Sequence, residues 1–387
     1  MSETIPLSVP SIKGNEWEYV KECLDTEWVS SAGKFVDRFE AGLSEFTGAP
    51  YSVACVNGTA ALHIALLVAG VKPGDEVIVP TITFIAPVNA VRYVGALPVF
   101  MDCDAYYNLD VEKTVDFIEK QTIVNKGFAY NKATNRRIGA LLPVHVFGNA
   151  VDLKPLIEIC ASRGIKIVED ATESLGTRYS SGQLSGIHAG TVGDLGCFSF
   201  NGNKIITTGG GGMIVTGNKR YAEKARYLTT QAKDDDLLYI HDEVGYNYRL
   251  TNIQAALGVA QLERLPEFVE IKRRNCGIYK REINSIPGLH LCEGPAYARN
   301  NHWMYALQID KSVFPKDRDG LLKHLRKDRI ETRPVWYLNH LQKPYRECQS
   351  YKIERAYKML DITLNIPCSV NLTENDIGFV IDKLKNV

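Results

Sequence analysis

Between Tyr51 and Thr216 the chain repeats one pattern: a short apolar, often β-branched run, then a stretch with apolar positions three or four apart. The short runs predict strands at Ser52–Val56, Glu76–Val79, Pro98–Asp102, Gly139–Val146, Ile165–Glu169, Gly196–Phe200 and Gly212–Thr216. The stretches between them predict helices at Ala60–Ala69, Pro87–Val94, Leu153–Arg163 and Lys219–Leu228. Such alternation builds an open, mainly parallel α/β sheet, because a helix must carry the chain back between parallel strands. A helical stretch at Gly14–Leu24 precedes it, and helical periodicity continues over Asn252–Leu265 and Pro266–Ile286. Past Pro287-Gly288 the elements thin out, with Met304–Ile309, Arg318–Lys327 and Glu374–Lys385 as candidates. The pattern predicts a large α/β domain over residues 1–265 and a smaller α+β domain over 266–387, with a long helix able to bridge them.

Composition narrows the field. At 387 residues and 45% hydrophobic content, the chain can bury a core in each of two domains. Lysine plus arginine equals aspartate plus glutamate at 45 each, so no basic excess points to nucleic acid. The longest like-charge runs, Asp234–Asp236 and Lys272–Arg274, read as solvated faces. Nine cysteines show no metal-site or redox spacing, and their number is odd, a pattern suited to a reducing cytoplasm. Met1–Pro10 lacks the apolar core of a secretion signal, and no apolar run reaches membrane-spanning length. A cytoplasmic protein without metal, membrane or nucleic-acid partner is expected.

Ligands of open α/β sheets collect beyond the carboxyl ends of the strands. Three such ends carry suitable groups. After the first strand comes Asn57-Gly58-Thr59-Ala60, where small residues open an apolar helix. Open backbone N–H groups and the helix dipole favour a phosphate there; an ordinary capped turn, with Thr59 near the cap, is the plainer reading. Asp170 ends the run Ile165–Glu169. A carboxylate closing a buried strand needs a cation or donor opposite it, either a protonated pyridine nitrogen or a structural ion pair. Lys204 follows Gly196–Phe200 and precedes Thr207, Thr208 and four glycines, Gly209 to Gly212. A lysine in a partly dehydrated pocket can form a Schiff base with an aldehyde, and Ser199, Thr207 and Thr208 offer hydroxyls to a phosphate. The glycines are too compact for a dinucleotide fingerprint. His145 has no second histidine or cysteine at ligand spacing and reads as a core residue.

These sites, in this order, resemble the sugar aminotransferases of fold-type I pyridoxal-phosphate enzymes, the DegT/DnrJ/EryC1/StrS family. The segments that carry the resemblance are Trp28-Val29-Ser30-Ser31-Ala32-Gly33, Asn57-Gly58-Thr59-Ala60-Ala61-Leu62, and Thr83-Phe84-Ile85-Ala86-Pro87-Val88-Asn89-Ala90. Glu169-Asp170-Ala171-Thr172-Glu173-Ser174, Phe198-Ser199-Phe200-Asn201-Gly202-Asn203-Lys204, Gly245-Tyr246-Asn247-Tyr248-Arg249-Leu250-Thr251-Asn252 and Arg333-Pro334-Val335-Trp336-Tyr337 complete it. They span nearly the whole chain.

The resemblance implies that Lys204 carries pyridoxal 5'-phosphate and acts as general base and acid. It implies that Asp170 pairs with the pyridine nitrogen, Phe84 stacks on the ring, and Glu173 lies near the phenolic oxygen. Gly58, Thr59 and Ala60 would cradle the phosphate with the Ser199 hydroxyl, and Asn247 would reach the phosphate held by a neighbouring subunit, giving a homodimer with shared sites. Trp28, Ser30, Arg249, Arg333, Trp336, Tyr337 and His340 are candidates for the nucleotide-sugar pocket. Asn201 and Gly210 stand where many members have histidine and glutamate, which resembles the branch acting at C4 of 4-keto-6-deoxy N-acetylhexosamines. Gly14 to Val36 and Tyr93 to Asp104 most resemble aminotransferases of the legionaminic-acid pathway. Relatives that became dehydratases replace the lysine by histidine, whereas Lys204 is retained. The implied reaction moves the amino group of L-glutamate to UDP-4-keto-6-deoxy-GlcNAc, with 2-oxoglutarate released. A C3 or GDP-sugar aminotransferase of the same family, or a non-catalytic nucleotide-sugar binding protein, are the alternatives.

Overall fold

The computed structural model describes residues 4–235 and 237–387; Asp236, last of the acidic run, lies outside them. Its centre is an eight-stranded sheet in the order Tyr51–Cys55, Gly212–Thr216, Leu195–Ser199, Lys166–Asp170, Ile138–Leu141, Glu76–Pro80, Leu97–Met101 and Ser350–Tyr351. Gly212–Thr216 runs antiparallel to both its neighbours, and the remaining pairs are parallel. Glu76–Pro80 and Gly212–Thr216 are buried at every position, as strands covered on both faces must be. The helix Gly58–Val68 is buried over Ala60–Leu66 because it lies within one of the two core layers flanking the sheet.

Helix Lys34–Thr47 turns Phe35, Phe39, Leu43 and Thr47 inward at four-residue spacing, a single apolar stripe. It packs on Asn252–Ile283, a helix of 32 residues opened by a capping box between Thr251 and Gln254. This helix runs through residue 265 and keeps Pro266 inside it. It joins the two stretches of helical periodicity, Asn252–Leu265 and Pro266–Ile286, as the bridging long helix expected from the sequence. Packing on both sides of the proline outweighs the one backbone hydrogen bond that its ring removes.

Beyond the long helix, a four-stranded antiparallel sheet orders Leu289–Leu291, Tyr305–Ile309, Thr363–Ile366 and Arg333–Pro334. The first residues of the chain join it: Ile5 bridges Ile330, and the Cys368 N–H donates to the Leu7 carbonyl at 2.8 Å. Two expectations change. The strand expected over Gly139–Val146 stops at Leu141, and after Pro143 the chain forms a short 3-10 turn, Val146–Gly148, with Phe147 at φ 57. The Lys272–Arg274 run is not wholly solvated, since Lys272 is buried and donates to the Cys368 carbonyl. Among the described residues no helix is long and apolar enough to cross a membrane, and no group of three or more His, Cys, Asp or Glu could hold a metal.

Candidate active site

The carboxyl ends of Lys166–Asp170 and Leu195–Ser199 meet the amino end of Gly58–Val68, and a cavity of about 290 Å³ opens there. The helix start is shaped by three small groups. Asn57, in extended backbone, caps it by accepting the Ala60 N–H at 2.8 Å. Gly58 has no room for a side chain, because a Cβ would stand 2.7 Å from Ser199 Cβ. The early N–H groups of a helix lack intrahelical partners. Ala60, expected to offer its N–H to a phosphate, spends it on Asn57 and lies outside the cavity lining, whereas Gly58 and Thr59 line the cavity with Ser199.

Asp170 and Glu173 form the acidic wall. Asp170 is 2% exposed, and its Oδ1 accepts the Thr172 N–H at 3.0 Å. Burial pushes its pKa up; the Thr172 donors and the Lys204 charge pull it part of the way back. Glu173 takes the Phe147 N–H on Oε2 at 2.8 Å, so the unusual backbone at Phe147 has a use: it aims an N–H at this carboxyl. Burial raises Glu173 to about 7, although Lys204 and the Phe147 N–H oppose the shift. Behind them, Glu169 accepts the N–H groups of Gly190, Val192 and Gly193 and the His145 ring, while His145 Nδ1 accepts the Val151 N–H. His145 is a satisfied core residue.

Lys204 enters from the loop after Leu195–Ser199. Its Nζ lies 3.8 Å from Glu173 Oε1 and 4.2 Å from the centre of the Trp303 ring. The Trp303 indole N–H also donates to the Asn203 carbonyl at 2.8 Å, fixing the loop next to the lysine. Phe84, at the start of helix Ile85–Tyr93, leaves 53% of its surface exposed although it lines the cavity. An aromatic face bare inside a cavity is what a planar ligand covers.

Of the residues expected from the sequence, Gly58, Thr59, Phe84, Asp170, Glu173, Ser199, Lys204 and Trp336 line this one cavity. Trp28, Ser30, Asn247 and Arg249 lie elsewhere. The carbonyls of Trp28 and Ser30 accept from Asn252, Asn247 is exposed, and Arg249 keeps a buried Nε without a hydrogen-bond partner. Arg333 and Tyr337 are exposed and outside the lining; His340 is bonded to Thr81 and Tyr357. Sequence reasoning missed Trp303, Asn203, Thr83 and Thr172 as cavity residues. Thr172 and Asn203 were within reach, being one or two positions from the residues that were singled out. Trp303, about a hundred positions from Lys204, had no local signal.

The sequence profile of the DegT/DnrJ/EryC1/StrS aminotransferase family matches residues 10–385. The chain belongs to this family. Similar curated aminotransferases include the GDP-perosamine synthase of Caulobacter vibrioides, 38% identical over 388 residues that cover 99% of this chain and 98% of the relative. The GDP-perosamine synthase of Escherichia coli O157:H7 is 38% identical over 381 residues, 98% of this chain and 97% of the other. The solved structure of DesI in the presence of its TDP-sugar product superposes with a TM-score of 0.88 at 26% identity, covering all of this chain and 93% of that one. This aminotransferase is therefore a fold-type I, pyridoxal-phosphate-dependent enzyme of nucleotide sugars. Its cavity fits that cofactor on its own terms: a buried carboxyl, a bare aromatic face, an amine, and a glycine-floored helix start beside a hydroxyl. The legionaminic-acid branch suggested by the motifs is not the one to which these relatives belong.

Proposed function

We propose that this chain transfers the amino group of glutamate to C4 of a keto sugar carried on GDP. Support for GDP comes from the name and full-length similarity of the two GDP-perosamine synthases. The UDP-linked N-acetylhexosamine favoured by the motif wording is the rival. The observation that carries the aminotransferase chemistry is the convergence of Lys204, Asp170 and the Gly58–Ser199 cradle in one cavity.

When bound, pyridoxal phosphate supplies a ring that accepts electron density from the carbon losing a proton. In this reading Asp170 keeps a proton on the ring nitrogen, Phe84 fixes the ring plane, and Gly58, Thr59 and Ser199 hold the phosphate. Lys204 Nζ, once free, takes the proton from the donor's α-carbon and delivers one to sugar C4. Glu173 faces that amine at 3.8 Å and can hold it charged or receive its proton. Trp303 and Trp336 wall the amine from water.

Asn247, Arg249, Trp28 and Ser30 serve a second subunit's cavity in a homodimer. Three facts support this: these residues sit outside their own chain's cavity, Arg249 has an unpartnered Nε, and Leu237, Leu238, Tyr239 and Val244 expose apolar surface nearby in sequence. Arg333 and Tyr337, flanking the cavity residue Trp336, are the candidates for the nucleotide. His340 is a weaker one, because Thr81 and Tyr357 occupy its ring nitrogens. A reducing, cytoplasmic setting belongs to the same reading and is supported by nine cysteines without a disulfide.

Purified protein would be incubated with glutamate and GDP- or UDP-linked 3-keto and 4-keto sugars, with products identified by NMR. Amination of the GDP-linked 4-keto sugar is expected, and Lys204→Ala lowers its rate roughly 10²–10⁴-fold. Turnover of the UDP-linked sugar alone would reverse the nucleotide assignment. If no sugar reacts and borohydride fixes no cofactor on Lys204, the chain is a binding protein instead.

A further inference from the structure

The residue before Trp303 faces a different cavity. About 350 Å³ of space lies between the last third of the long helix and the segment from Leu291 to His302, and it shares no lining residue with the Lys204 cavity. Arg273, Gly277 and Lys280 follow one face of the helix, and Gly277 leaves bare backbone with nothing near its missing Cβ. Arg299 and His302 stand on the other wall.

The charges in this cavity do not balance. Glu270 is shared by Arg273 and Arg299, at 2.6 and 2.8 Å, while Glu293 pairs with Lys280 at 2.7 Å. Three cations thus meet two carboxylates, and Arg273 also donates to the carbonyls of Asn300 at 2.9 Å and Arg299 at 3.3 Å, which fixes its guanidinium in place. Lys272, buried close by but outside the cavity lining, gives its amine to the Cys368 carbonyl and lies over the Tyr305 ring. Burial lowers the pKa of Arg273, with a smaller push from Arg299 and an opposing pull from Glu270.

His302 is held into this field. Its backbone sits at φ 52, a conformation costly for a residue with a side chain, and its N–H is tied to Asn300 Oδ1. Its ring makes no hydrogen bond to any described residue. Burial, with Arg273, Lys272 and Lys280 around it, pushes the imidazole down to about 4 and so keeps it uncharged. A ring with two unused nitrogens, set against guanidinium and ammonium groups, is a receptor for an anion with several acceptor oxygens.

We propose that this cavity binds a phosphate-bearing small molecule, its phosphate received by Arg273, Lys280, Arg299 and the His302 ring. A phosphate carries three terminal acceptors and close to two negative charges at neutral pH, which suits four donor groups better than a carboxylate does. Leu291, Pro295 and Ala296 offer an apolar wall to the rest of the molecule. The proposal stands apart from the reading of the Lys204 cavity.

The test uses protein loaded with pyridoxal phosphate, so that the Lys204 cavity is filled, and inorganic phosphate as the probe. Histidine ring NMR follows the titration, with the His302 signal identified by its loss in His302→Gln. Saturating phosphate is expected to raise the His302 pKa by about one unit or more, because a bound anion favours the charged ring. The signals of the remaining seven histidines should stay in place. Arg299→Gln combined with Lys280→Gln, both at side chains 45% exposed or more, should weaken the response at least about tenfold while the fold is retained. No His302 response, the same response to chloride or acetate at equal ionic strength, or full response in the double variant would each overturn the proposal.

Discussion

Glu173 shows how burial and a single N–H set the behaviour of a residue. The folded chain holds its proton up to about pH 7, whereas an unperturbed glutamate releases it near 4.5. Between those values the folded state binds more protons than the unfolded one, so stability falls as pH rises through this window. In the cofactor-free protein, Glu173→Gln should match the parent below 4.5. Above 7 it should be the more stable, by an amount on the order of 3 kcal/mol. Melting curves across the window check this, and parallel curves would show that Glu173 ionises normally. Asp170 was legible in the sequence for a related reason: a carboxylate at the end of an apolar run needs a partner, and few arrangements supply one. The Glu173–Phe147 contact was not legible, because it depends on a left-handed backbone at Phe147 that nothing local to that residue announces.

At the scale of elements, the helix start at Gly58 shapes one end of the cavity, where the proposed reading places the phosphate. Gly58→Ala would press a methyl group against Ser199 Cβ at 2.7 Å, so one element must move. A loss of about 1–3 kcal/mol in stability is expected, with weaker retention of pyridoxal phosphate in equilibrium dialysis. A variant with unchanged cofactor affinity would mean that the cradle is more yielding than its geometry implies. Strands such as Glu76–Pro80 were readable because covering on both faces turns them into unbroken apolar runs. The two-residue strands Arg333–Pro334 and Ser350–Tyr351 were not, since pairing with distant strands defines them rather than any pattern of their own. The long helix was readable across Pro266 because helical periodicity continues on both sides of it, and contacts along 32 residues outweigh the local cost of the proline.

For the whole molecule, the proposed shared sites make a prediction that a single chain cannot. Lys204→Ala and Asn247→Asp chains, each nearly inactive alone, should regain about a quarter of parental activity when unfolded and refolded together, since half the dimers are mixed and each keeps one intact site. Absence of any recovery would mean that Asn247 acts only within its own chain. The N-terminal segment has a consequence of a different kind. Ile5 to Val9 dock on Arg329, Ile330, Cys368 and Ser369, and the Ser8 hydroxyl reaches the carbonyl of Asn203 beside Lys204. The segment from Ile5 to Val9 thus has its resting place built from residues more than three hundred positions further along the chain. A nascent chain can pair most of its central strands early, but the loop bearing Lys204 gains this brace only after residues 329–369 have been made.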